Sequence, residues 1–572
     1  MHLIFAASTA PLVLPKIAYY SILPEIVLLG GAVALLGASS VTRRPMDAST
    51  ATTMTVMTGL AALSLALVQW SQVQSNGPHV AIDGAVVQDG FSAFIAVLVS
   101  SAVVVSALVG DGWMRREQTV GPELHVLTLA SASGAVIMGE ANDLIVIFLG
   151  LEIMSIALYV LAAMNAKRNE SGEAALKYFV LGSFSSAVFL YGIALVYGTT
   201  GSTNLPQIAD YLSRNVLLHN GLLLAGLALL LVGFLFKVAA VPFHLWTPDV
   251  YQGSPSPVTG FMAAIAKAGG FAALLRVFIS TFGSLRTDWQ PAIWVIAIVT
   301  LVLGASVALV QRDIKRMLAY SSINHAGFIL LGLQAASAKG VEGSLYYLFV
   351  YSFMVIGTFA VVMVVGGPGD GAHDLSRYRG LASRQPWLAG SLTVLLIAQA
   401  GIPFTTGFLA KLEVVEAAVK ANSGALAVVA MVTAVIAAFF YLRVILLMYS
   451  SSAGLGGAGA EEESPETLPS MAMSTAGAGS GGDTGAVTAL STDADSAEMA
   501  DSAEMADSTE MADSADVADS ADVADVAAKQ PVPATVAVAI AVCVAVTVLF
   551  GVWPSPLVNF AHHAVLYSKA FG

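Results

Sequence analysis

Lys177, Lys237, Lys267 and Lys411 fall inside or at the edge of long apolar runs, in a chain where only 11% of residues are charged. A charge near the middle of a bilayer costs about 2.5–3.5 kcal/mol on insertion scales. Glu152 and Glu25 also lie in apolar runs. Burial drives an isolated carboxyl toward its neutral form, a nearby lysine opposes that, and such a pair titrates jointly. Moving a charge near the pair redistributes its proton. This is the chemistry of a switchable proton site, and Glu152, in FLGLEIMSIALYVLAAM, with Lys237 forms the expected pair.

The other ionisable groups extend the line. Lys267, in GFMAAIAKAGGFAALL, is flanked by small residues that allow close helix approach. His325, in MLAYSSINHAGFILL, sits mid-run and could relay protons near neutral pH, or be a satisfied buried histidine. Lys177 lies near the start of its run, where it could serve as a relay or snorkel to the headgroups. Glu25 is expected to make a structural contact or touch a neighbouring subunit, with a relay role as the lesser alternative, and Glu140 and Asp143 are expected to be solvated.

Two runs that hold these residues are interrupted. GFLFKVAAVPFHLW places Lys237 five residues before Pro242 and His244 just beyond, where His244 could relay or cap the break. AQAGIPFTTGFLAKLEVVEA places Pro403 eight residues before Lys411. Proline removes a backbone donor and clashes with the preceding turn. In lipid such a break survives only where neighbours or a hydrated cavity satisfy it. Discontinuous helices in two halves of a chain are the pattern of a transporter's ion site.

The positioning elements are membrane helices. The 572 residues are 57% hydrophobic, and windows of about 20 apolar residues recur along most of the length. The fold class is an all-α polytopic membrane protein, not a β-barrel. Hydropathy gives about fourteen spans, near 17–40, 51–72, 91–110, 122–139, 142–164, 174–198, 219–241, 256–280, 291–310, 317–336, 342–366, 387–417, 424–449 and 531–553. Loops after odd-numbered spans carry Arg43, Arg44, Arg115, Arg116, Lys167, Arg168, Arg312, Lys315, Arg316, Arg377, Arg379 and Arg384. Loops after even-numbered spans carry only Arg214, Arg286, Lys339 and Lys420. The positive-inside rule puts the first set in the cytoplasm and both termini outside.

The net charge of −13 belongs to one segment: residues 451–530 hold 17 acidic residues and a single basic one, Lys529. The rest of the chain carries 24 basic and 21 acidic residues, or +3. From Asp495 the segment repeats DSAEMA-like units, and the segment as a whole has few large apolar side chains. It is expected to be a disordered cytoplasmic linker. The one cysteine, Cys543, cannot hold an iron–sulfur cluster or a zinc site, and no dinucleotide fingerprint is present. No redox cofactor is therefore expected on this chain, no metal site, and no nucleic-acid partner.

GLEIMSIALYVLAA, EAALKYFVLGSFSSAVFLYGIALVYG, FKVAAVPFHLWTPDVYQGSPSPVTGFMAAIAKAGG and RDIKRMLAYSSINHAGF resemble the antiporter-like membrane subunits of respiratory complex I, in the N-type branch. The resemblance covers nearly everything except 451–530. It implies fourteen helices with two inverted five-helix repeats and broken seventh and twelfth helices. The chain would then divide into an N-terminal three-helix segment at 1–121, repeats at 122–282 and 283–450, the linker at 451–530 and a terminal helix at 531–572.

The resemblance also implies roles: Glu152 and Lys237 as the charge pair, Lys267 as the central lysine, Lys411 as the exit-side residue, Lys177 and His325 as further polar positions. It implies a proton-translocating subunit of a bacterial inner-membrane NADH:quinone oxidoreductase, surrounded by lipid and other membrane-arm subunits. NADH, FMN, iron–sulfur clusters and quinone would all be handled on partner subunits. Two rivals remain: a subunit of a multi-subunit sodium/proton antiporter, and a non-conducting structural subunit. Buried lysines disfavour the second, since leucine would carry no electrostatic cost.

Overall fold

The computed structural model describes residues 17–41, 46–215, 220–450 and 531–566. The expected linker at 451–530, with Arg43 and Arg44, lies outside the described residues. The described chain is almost wholly helical: α1 (Leu23–Val41), α2 (Ala48–Asn76), α3 (Gly90–Glu117), α4 (Glu123–Glu140), α5 (Leu144–Ala162), α6 (Asn169–Thr200), α7 (Leu205–Arg214), α8 (Gly221–Val238), α9 (Trp246–Gly253), α10 (Ser256–Leu275), α11 (Arg286–Leu309), α12 (Ile314–Gln334), α13 (Ala338–Val365), α14 (Leu381–Arg384), α15 (Pro386–Ala400), α16 (Thr406–Lys420), α17 (Gly424–Tyr449), α18 (Ala534–Val552) and α19 (Ser555–His562). A short antiparallel hairpin, β1 (His79–Ala81) and β2 (Val86–Gln88), pairs His79 with Gln88 and Ala81 with Val86.

Eleven helices among the described residues are long and apolar enough to cross a membrane. The chain is therefore a multi-span membrane protein. Among the other helices, α4 has 18 residues, α12 carries Lys315, Arg316 and His325, and α15 is a shorter apolar helix of 15 residues.

Local chemistry sets several helix starts. Asp89 accepts from the Ser92 N–H at 2.7 Å while the Asp89 N–H donates to Ser92 Oγ at 2.9 Å, a reciprocal capping box at α3. Asp143 and Asp313 cap α5 and α12 through the N–H groups of Ile145 and Arg316. Asp143 is thus a helix cap that stays partly exposed.

The layering decides where charge can be hidden. α10 and α13 are almost entirely buried, whereas α2, α6 and α18 present much of their surface outward. α10 packs against α3, α4, α5, α8 and α13, so its Lys267 is at the centre of the bundle. Close approach depends on small residues. A Cβ at Gly134 would strike the backbone of α5 at Gly150 and Met154, and one at Gly304 would strike α12 at Asn324.

Both sequence-predicted breaks are present. α8 ends at Val238, Ala239 turns left-handed (φ 60°), and a cis Val241–Pro242 peptide precedes α9. α15 ends at Gly401 (φ 82°), followed by Ile402, Pro403 and left-handed Phe404 (φ 69°) before α16. The first break is satisfied from outside itself: Val241 N–H donates to Thr300 Oγ1 at 3.0 Å, and Trp246 Nε1–H donates to the Phe236 carbonyl at 3.0 Å.

Candidate functional site

Helix breaks leave carbonyls without intrahelical partners, and a helix C-terminus carries partial negative charge. The two central lysines answer this need. Lys267, 2% exposed, donates from Nζ to the Val238 carbonyl at 3.0 Å, the last residue of α8. Lys411, 5% exposed, donates to the Ala400 and Gln399 carbonyls at 2.7 and 3.1 Å, the end of α15. Each broken helix therefore terminates on a buried ammonium. Lys411 also lies 5.0 Å from the centre of the Phe328 ring.

Lys237 is on the last turn of α8, 3% exposed. Its Nζ donates to Ser155 Oγ at 2.8 Å and more weakly to the Tyr178 hydroxyl at 3.4 Å. It lies 5.5 Å from the Tyr178 ring centre and 6.0 Å from that of Tyr159. The expected partner, Glu152, makes no ion pair with it. Glu152 precedes Ser155 by three residues on α5, the spacing that puts both on the face where Ser155 meets Lys237. Its Oε1 is buried without a hydrogen-bond partner among the described residues. Ser155 in turn donates to the Leu151 carbonyl. Gly270, on α10, lets the end of α8 approach closely: a Cβ there would come within 2.9 Å of Val238 Cγ1.

His325 is buried on α12 between two tyrosines. Its Nδ1 is 2.7 Å from the Tyr347 hydroxyl on α13, and its Nε2 is 3.1 Å from the Tyr441 hydroxyl on α17. Tyr441 reaches Gln399 Oε1 at 3.5 Å, and the carbonyl of Gln399 receives Lys411. His325 and Lys411 thus both reach Gln399, His325 through Tyr441 to its side-chain amide and Lys411 directly to its main-chain carbonyl. On the other side of His325, Tyr351 stacks obliquely at 4.9 Å between ring centres and donates to Ser322 Oγ at 2.8 Å. Ser322 also meets the Tyr251 hydroxyl of α9 at 3.3 Å. Hydrogen-bonded hydroxyls therefore run from Tyr251 to Tyr351, which meets His325 through its ring alone.

His244 lies in the first break, 6% exposed, with Nδ1 unpartnered among the described residues. Lys177 is elsewhere. Its Nζ pairs with Glu173 at 2.7 Å and Asp249 at 2.8 Å, and its side chain is 43% exposed. Arg316 joins the same Asp249 at 2.8 Å. These groups line an open polar cavity of about 420 Å³ at one end of the bundle, with Arg168, Gln252 and His373.

Three placements correct the sequence reading. Lys315, expected in a loop, is fully buried on α12; it donates to the Ser254 carbonyl at 2.5 Å and lies 3.6 Å from Asp370. Asp370 also accepts from the Ser256 N–H and hydroxyl, at 2.5 and 2.8 Å. Burial opposes ionisation of Asp370, but the Lys315 charge and the Ser256 hydrogen bonds outweigh it and hold the carboxyl below its usual range. Burial first, and then the Lys315 charge, pull neighbouring His373 down to about 3. Glu140, expected in solvent, is only 6% exposed because α1 covers it. Arg276, unremarked in the sequence, is 1% exposed and forms a two-bond ion pair with Asp89, each bond 2.9 Å.

Several relay groups carried weak sequence signals. Ser155 is three residues beyond Glu152, and Gln399 is the polar residue just before a proline break, so both were findable. Tyr441, in FFYLRV, reads as an ordinary membrane aromatic; only packing brings it to His325.

A family profile described as "NADH:quinone oxidoreductase/Mrp antiporter, TM" matches residues 141–437. The chain is 40% identical over 472 residues to NADH-quinone oxidoreductase subunit N of Salinispora arenicola, covering 77% of this chain and 90% of that one. It is 43% identical over 364 residues to subunit N of Trichlorobacter lovleyi, covering 64% and 75%. Among solved structures, a chain of respiratory complex I from Thermus thermophilus with bound aureothin aligns at TM-score 0.69 and 27% identity, covering 94% of this chain and 99% of that one. A chain of the Mrp complex from Dietzia sp. aligns at TM-score 0.71 and 19% identity over 96% and 97%, a likeness of fold.

Proposed function

This chain belongs to the NADH:quinone oxidoreductase/Mrp antiporter membrane family, in its subunit N branch, and from that premise we propose that it is a proton-translocating subunit of a proton-pumping NADH:quinone oxidoreductase. Its own chemistry is proton transfer. NADH oxidation, with FMN and iron–sulfur clusters, and quinone reduction take place on partner subunits. The neighbours are other membrane-arm subunits in a bacterial inner membrane, with both termini outside and segment 451–530 in the cytoplasm.

The observation that carries the reading is the placement of one buried ammonium at the end of each broken helix, with His325 hydrogen-bonded toward Lys411. In the proposed cycle a charge change at Glu152 and Lys237 alters the proton affinity of Lys267, and then of Lys411. Moving one charge across 100 mV takes about 2.3 kcal/mol. A hundredfold change in a lysine's proton affinity carries about 2.7 kcal/mol, so one such step is matched to the membrane potential. Lys177, His244 and His325 serve as secondary relays, Lys177 from the cavity mouth.

The fourteen-span count is supported by α4, α12 and the α15–α16 pair filling the places between the eleven longer helices. The inverted repeats at 122–282 and 283–450 are supported by the matching breaks. The sodium/proton antiporter reading rests on the shared family description and on the Mrp likeness of fold, and it is the weaker because the relatives at 40% and 43% identity are subunit N.

The test is purification of the intact membrane complex through a tag on this chain. Copurifying flavin and iron–sulfur subunits with quinone-linked NADH oxidation is the expected result. A Lys267→Met variant should then keep NADH:ferricyanide activity and lose proton pumping. A complex without redox subunits, or unchanged pumping in that variant, would overturn the assignment.

A further inference from the structure

A second group of buried acids lies away from the lysine row, at the end of the bundle where α1 starts, α4 and α10 end and the hairpin folds over. Glu25 on α1 is 4% exposed and Glu140 at the end of α4 is 6% exposed. Each is the other's side-chain neighbour. Neither oxygen of Glu25 finds a donor among the described residues. Two carboxylates are both acceptors, so they can bond to one another only when one carries a proton.

The nearby charges do not relieve the pair. Arg276 acts on Glu140, but it directs four of its five N–H groups to the Asp89 carboxylate and the Gly139 carbonyl, at 2.8–3.0 Å. The Phe91 ring closes one face of its guanidinium at 4.9 Å. Asp89, itself 1% exposed, already matches that cation. The cluster therefore holds three carboxyls and one guanidinium, and like charges at such range do not both ionise in a buried site. Gln88, one residue before Asp89, is also buried with both amide atoms unpartnered among the described residues.

The site has a way out. Ser21, one turn before Glu25, is buried, and its Oγ is 3.4 Å from Nε2 of His79. His79 is exposed on β1.

We propose that Glu25 and Glu140 hold one exchangeable proton between them, a proton-binding site separate from the lysine row, that communicates with the adjacent aqueous face through Ser21 and His79. The proposal does not need the lysines to conduct, so either can fail without the other.

Infrared difference spectroscopy of the intact reconstituted complex tests it. The wild type minus a Glu25→Gln/Glu140→Gln double variant should show a carboxylic-acid C=O band at neutral pH that disappears at alkaline pH. Glu25→Gln alone should abolish that band while the complex still assembles, because the amide donates to Glu140 as the shared proton did. His79→Ala should keep the band but slow its deuterium exchange by tenfold or more. Identical spectra for wild type and both glutamine variants would overturn the shared proton, and an unchanged exchange rate in His79→Ala would overturn the route.

Discussion

Replacing Lys237 by methionine separates stability from function. Methionine preserves the length and apolar stem but removes the ammonium. Removing a charge from the membrane interior favours the folded chain by about 2.5–3.5 kcal/mol on insertion scales. Against this stands the charge-assisted bond to Ser155 at 2.8 Å, worth about 1.5–3 kcal/mol, and the contact with the Tyr178 ring at 5.5 Å, worth about 0.5–1 kcal/mol. Ser155 keeps its donation to Leu151, so no buried hydroxyl donor is orphaned on that side. The balance lies within about 2 kcal/mol of zero, and the complex should assemble with nearly wild-type thermal stability. Function should not survive, because the ammonium that Ser155 holds against the Glu152 face of α5 is gone. In proteoliposomes, NADH:ferricyanide activity should remain at the wild-type level, since it bypasses the membrane arm, while NADH-driven dye quenching falls to background. Undiminished pumping in this stable variant would refute the role of Lys237 as a proton site.

Gly401→Ala should impair pumping at the second break: φ of 82° strains any L side chain by about 1–2 kcal/mol, and the new Cβ would approach the Lys411 side chain to 2.8 Å; dye quenching and native gels separate this loss from failed assembly. Tyr441→Phe should slow quinone-linked turnover by roughly tenfold, the equivalent of one relay bond of about 1.4 kcal/mol between His325 and Gln399, as read by steady-state NADH:quinone kinetics. Lys177→Met should change the thermal stability of the complex by no more than about 1 kcal/mol, because its side chain is 43% exposed and such ion pairs are worth about 0–1 kcal/mol, while quinone-linked turnover falls with the loss of the relay at the cavity mouth.

Acidification gives a prediction of defined sign. His373 is held neutral down to about 3 in the fold, against an ordinary value of 6.5. Between those limits the unfolded chain binds the extra proton, so His373 contributes stability above about 6.5 that is lost progressively as pH falls toward 3. Each tenfold difference in proton affinity is worth about 1.4 kcal/mol. Thermal inactivation of the purified complex should therefore steepen between pH 6.5 and 5, and His373→Gln should flatten that slope.

The sequence by itself determined the helical class, the positions of both breaks and the burial of Lys237, Lys267 and Lys411. The physical reason is local: apolar run length, proline chemistry and the cost of an isolated charge are properties of a stretch of chain. Only the tertiary structure decided which groups meet. Lys237 turns to Ser155 rather than to Glu152, and Lys177 faces a polar cavity although its run looked apolar. Lys315 is buried because Asp370, 55 residues away in the chain, arrives beside it. Glu140 is covered because α1 packs over the end of α4. Partners for hydrogen bonds and ion pairs come from helices distant in sequence, so no periodicity within one helix encodes them.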